Sequence, residues 1–178
     1  RQAGSANAFS PVIEELGKAG LAVRTYAFVH AHKVFVSHGI ESVMINRFED
    51  FIAMGAPAPS FLLTGTSEYA AQDNLFWEWA RNMEVPSLAF VDSWVSYWQR
   101  FSDTDKGPER FNCTPGSIGV IDRFMYGRMI ENGCREDHDD GYEDRSDLIR
   151  QKLDGNFGVL GFADQFDHLG QEGFAAHL

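Results

Sequence analysis

Asp92 stands directly after the apolar run Ser87-Leu88-Ala89-Phe90-Val91, and Trp94, Tyr97 and Trp98 follow it closely. A carboxylate among aromatic rings suits the hydroxyls and apolar faces of a sugar, and it could take a proton as a general base. The same residue type also caps short helices. A second group is Thr64-Gly65-Thr66-Ser67, at the end of Phe61-Leu62-Leu63. Gly65 leaves the backbone open to a ligand, while the hydroxyl of Thr66 or Ser67 is placed to cap the helix that follows.

The third group is Gly4-Ser5-Ala6-Asn7, read as a loop ahead of a helix with Ser10 as N-cap and Pro11 at its first position. Such a loop can turn its N–H groups toward a phosphate, or serve only as a tight turn. It is not G-x-G-x-x-G, and the segment about 20 residues on reads Ala22-Val23-Arg24-Thr25-Tyr26 with no acidic ribose partner. Dinucleotide binding is therefore not expected. His30 and His32 alternate along a segment read as extended, so they face opposite ways. No third ligand accompanies them, so no metal site and no cofactor is expected. His30, first after the strand, is the better base candidate of the two. The run 134–147 carries seven carboxylates, but counting back from Gly141 puts Glu136 and His138 where an EF-hand needs Asp or Asn. A solvated loop is the reading there.

The elements that would position these residues alternate. Short apolar runs at 21–29, 42–45, 60–63, 87–91 and 117–121 read as buried strands. Helices are expected from Ser10 to the stop at Gly20, from Ala31 to Gly39, from about Glu68 to Met83, and over 121–133. The third spaces Leu75, Phe76, Trp79, Ala80 and Met83 by three and four, as one apolar stripe. Alternation of this kind predicts a Rossmann-like three-layer α/β sandwich with a mainly parallel sheet. Ligands then belong beyond the carboxyl ends of the strands, which is where the candidate residues fall. A doubly wound domain opens on a strand, yet only Arg1-Gln2 precede the glycine loop, so the first strand is expected to be missing and the numbering to start inside a longer chain. The Rossmann-like unit is placed at 1–135. Residues 136–178 follow as the acidic loop and a Gly- and Phe-rich C-terminal segment to which no helix or strand is assigned.

With 44% hydrophobic residues in 178, the chain reads as globular, and its formal charge of −11 argues against a nucleic-acid partner. No apolar run reaches the roughly 20 residues of a membrane span. Two cysteines, Cys113 and Cys134, and no apolar leader in the first ten residues suit a reduced cytoplasmic protein.

Taken in order, the segments 5–20, 62–67, 85–101 and 118–133 resemble the N-terminal half of GT-B-fold proteins. That superfamily includes polysaccharide glycosyltransferases and the non-hydrolysing UDP-N-acetylglucosamine 2-epimerases. In the epimerases one strand ends in His-Gly-Asp-Thr and the next in a glutamate followed by Ala-Gly. Here Thr64-Gly65-Thr66-Ser67 and Asp92-Ser93-Trp94 stand at those places, with Thr66 in place of the aspartate. The resemblance implies a domain that binds a sugar nucleotide or glycan acceptor, with Asp92 or His30 as base. Gly4, Ser5, Asn7, Thr64 to Ser67 and Trp94 would then contact the ligand. The rival expectation is a non-catalytic, flavodoxin-like binding or protein-interaction module. It would present Trp94, Tyr97 and Trp98 as an exposed aromatic surface, with a homodimer as one form.

Overall fold

The computed structural model describes residues 4–67, 71–103 and 109–134. The acidic run and the Gly/Phe-rich segment lie outside them. The order of elements is α1 (Gly4–Lys18), β1 (Tyr26–Ala27), α2 (Val29–Ser37), β2 (Val43–Met44), α3 (Phe48–Ala53), β3 (Leu62–Gly65), α4 (Ala71–Asn82), β4 (Ser87–Val91), a 3-10 turn (Trp98–Phe101), β5 (Ser117–Val120) and α5 (Arg123–Glu131). All pairing is parallel, as strands joined by helical crossovers require. The fold is a Rossmann-like α/β fold.

β4 is buried at every position because it lies between β3 and β5 and is covered on both faces. This is why it reads as a continuous apolar run. Successive side chains alternate across a strand. Phe90 meets Phe9 of α1 at 6.0 Å between ring centroids. Ala89 and Val91 join Trp77 of α4, Phe101, and Met125 and Met129 of α5 in the main core. In β1, Ala27 packs with Ala6 of α1 and Phe35 of α2, whereas Tyr26 turns its ring edge to Phe51 of α3 at 5.1 Å. Phe51 also contacts Phe76 and Trp79 of α4, at 5.2 and 5.0 Å. Thus α1 and α2 cover one face, and α3, α4 and α5 the other.

Several expectations need correction. The strands form two sheets, β1–β2 and β3–β4–β5, rather than one. The long first strand shrinks to Tyr26–Ala27, and His30 and His32 lie in α2, not on extended backbone. That run fits a helix because Phe35 enters the core from it while His30 faces solvent. The glycine loop is absent, since α1 already begins at Gly4. Ser10 is therefore no N-cap; its hydroxyl donates to Ala6 O four residues back (2.9 Å), and Pro11 sits inside the helix. In α4 the expected stripe omits Trp77, which is 1% exposed, and includes Met83, which is 51% exposed. The helix is clasped between the core on one side and α3 on the other, so its buried surface is wider than one stripe. The stop at Gly20 is observed, with φ +79° after the end of α1.

Candidate functional site

Four of the elements converge at the carboxyl ends of β3 and β4. β4 delivers Asp92, β3 delivers Gly65 and Thr66, and the first turn of α1 delivers Gly4 and Ser5. Ser5 Oγ donates to Asp92 Oδ2 at 2.9 Å. A Cβ on Gly4 would collide with the same carboxylate oxygen, and one on Gly65 would fall 2.5 Å from the Ser5 side chain. Both glycines are thus needed so that α1 can close onto the strand ends.

The fourth contributor, Arg100, comes from the 3-10 turn and is 7% exposed. Its guanidinium NH1 donates to Thr66 O (2.9 Å) and Thr66 Oγ1 (3.0 Å), and stands 3.6 Å from Asp92 Oδ1. Its Nε donates to Val95 O at 3.3 Å. Thr66 Oγ1 in turn donates to Phe90 O at 3.2 Å. The charge of Arg100 is held inside the protein by one carboxylate and several oxygens, as a buried cation requires. Nothing in the sequence pointed to it. Its one signal was a charged residue inside the otherwise aromatic stretch Tyr97-Trp98-Gln99-Arg100-Phe101.

Beside this cluster, Asp73 near the start of α4 accepts from Ser67 N (2.8 Å) and Ser67 Oγ (2.7 Å). Burial pushes its carboxyl up to about 6, against the opposing pull of the Ser67 hydrogen bonds and the Arg100 charge. Thr64 Oγ1 faces α4 and accepts from Trp77 Nε1 at 2.9 Å.

The expected site residues therefore divide. Gly4, Ser5, Gly65, Thr66 and Asp92 are brought together, with Ser67 and Thr64 bound to α4 alongside. Asp92 does not cap a helix, because irregular chain follows it and the next turn begins at Trp98. Asn7 points to solvent from α1. His30 is exposed in the first turn of α2 and takes no part in the Asp92 network. Trp94, 51% exposed, donates from Nε1 to Asp122 Oδ2 at 3.1 Å. Asp122 itself caps α5, accepting from Met125 N at 2.7 Å. The aromatic surface expected of Trp94, Tyr97 and Trp98 does not form as such. Tyr97 is 8% exposed, and Trp98 lies under the Arg110 guanidinium at 5.0 Å.

Among the described residues no three His, Cys, Asp or Glu side chains are grouped to hold a metal ion, and no helix is long and apolar enough to cross a membrane. Cys113 is buried, with its thiol directed at Asn74 O (4.0 Å), and Cys134 is half-buried. The chain matches no known protein-family model, no curated protein and no solved structure.

Proposed function

We propose that the chain forms a sugar-nucleotide- or glycan-acceptor-binding domain, built like the N-terminal half of a GT-B protein of polysaccharide synthesis. The supporting observation is the convergence of Gly4, Ser5, Gly65, Thr66, Asp92 and Arg100 at the strand ends, where a parallel sheet offers its ligand crevice. Asp92 already accepts one hydroxyl hydrogen, from Ser5. A carboxylate has lone pairs for more, so a sugar hydroxyl can join or replace Ser5. The N–H groups in the first turn of α1, together with the Arg100 cation, attract a phosphate. In a turnover Asp92 takes the acceptor hydroxyl's proton, and exposed Trp94 offers a ring face to a sugar.

One observation favours the rival reading of a non-catalytic, flavodoxin-like module. Both Asp92 oxygens have partners within the chain, Ser5 and Arg100, so the cluster can serve as a tie between α1 and the sheet. Titration of UDP-sugars and free nucleotides, followed by calorimetry and amide NMR, separates the two. The proposal expects shifts at Gly65 and Asp92 in the parent, with affinity weakened at least tenfold in Asp92→Asn measured at a temperature where that variant is fully folded. Absence of any shift with every compound rejects it in favour of the module.

A further inference from the structure

The two sheets present facing edges that no described residue occupies. Ile45 N donates to Ala27 O and Val43 N to Thr25 O, so the alternation of a parallel ladder turns the N–H and C=O of Tyr26 away from β2. Leu62 N donates to Pro86 O, which by the same alternation turns the backbone groups of Leu63 and Gly65 away from β4. β1 and β3 are nonetheless held side by side. Adjacent residues of α1 touch both, Ser5 at Gly65 and Ala6 in the cluster with Ala27, while Tyr26 on the other face packs on Phe51, which contacts α4. Exposure tells the same story. Every residue of β3 is half-exposed, although every residue of neighbouring β4 is buried.

We propose that β1 and β3 border a slot for one further strand, and that its occupant is an extended apolar segment of about five residues running parallel to both and leading into Gly4. The direction follows from α1. Its first turn lies at the carboxyl ends of β3 and β4, so a strand entering it must leave the slot at that end. The crossover through α1 to β1 then takes the right-handed form that βαβ units adopt. The occupant is apolar because Ala6, Phe9 and Ala27 border one face and Phe51 the other, with no described charge among them. It would merge the two sheets into one of six strands in the order β2, β1, new strand, β3, β4, β5, with α1 and α2 on one face and the later helices on the other. This inference is independent of the ligand assigned to Asp92.

The test adds Val-Leu-Val-Ile-Ala ahead of Arg1 in the full chain, with Ser-Gly-Ser-Gly-Ser as the matched control, and reads amide hydrogen exchange. Exchange at Tyr26, Leu63 and Gly65 should slow about a hundredfold with the apolar extension and stay unchanged with the polar one. Equal exchange in both, or slow exchange of these amides in the unextended chain, overturns the proposal. If the extended chain does not fold, the same apolar peptide is added in trans. Chemical-shift changes centred on those three amides support the slot, and their absence rejects it.

Discussion

The Ser5 hydroxyl donates to Asp92 Oδ2 at 2.9 Å, tying the first turn of α1 to the end of β4 across 87 positions of sequence. On its other side the same carboxylate faces Arg100, so one residue links a helix terminus, a strand end and a buried cation. Removing it should be felt in folding as well as in binding.

Asp92→Ala should cost about 3 kcal/mol, because it leaves Arg100, 7% exposed, without its counter-charge. Asp92→Asn removes the same counter-charge but keeps an acceptor for Ser5, so its loss should be about 1 kcal/mol smaller. Urea denaturation of both variants checks this. Equal losses would mean that the Ser5 hydrogen bond adds nothing to the loss of the counter-charge.

Arg100→Lys tests the geometry of the fork at constant charge. A lysine cannot reach Thr66 O, Thr66 Oγ1 and Val95 O together, so a loss of about 2 kcal/mol is expected. Thermal unfolding unchanged from the parent would show that the positive charge alone suffices.

Gly65→Ala should destabilise the fold by about 2 kcal/mol through overpacking against Ser5, a neighbour fixed close to the α1 backbone. Ser5→Gly in the Gly65→Ala background should recover part of the loss by removing the atoms in the way. A double-mutant cycle on melting temperatures reads the coupling.

Asp73 gives stability a dependence on pH with a definite sign. Its folded carboxyl is raised from 3.8 to about 6, so between those values the folded state binds more protons than the unfolded one. Stability from this group is therefore present below about pH 4 and is lost as pH rises through 6. The span is on the order of 3 kcal/mol. In chemical denaturation from pH 4 to 7.5, Asp73→Asn should remove that share of the slope. A parent and variant with parallel profiles would refute it.

Much of the architecture was legible in local composition. β4 matched its apolar run from Ser87 to Val91, because a strand buried on both faces has no polar position to blur its limits. Gly20, Gly39 and Gly133 marked chain reversals after helices, each at positive φ, since only glycine adopts that backbone without strain. The order of strands and helices likewise implied parallel pairing and placed Asp92 and Gly65 at one edge of the sheet.

What composition could not decide was which residues meet. The run Leu21 to Val29 has the β-branched content of a strand, yet it yields only Tyr26–Ala27, because Phe35 reaches the core through a helix that begins at Val29. Ser5 reads as a loop residue until α1 is seen to start at Gly4 and to lie against Gly65. Arg100 showed only as a charge within an aromatic stretch, since its partners Thr66 and Asp92 approach it only when β3 and β4 pair and the 3-10 turn folds back over their ends. Sequence sets the short-range propensities and the alternation of burial. The site depends on contacts across tens of residues, which exist only once the strands are in register and α1 has packed onto them.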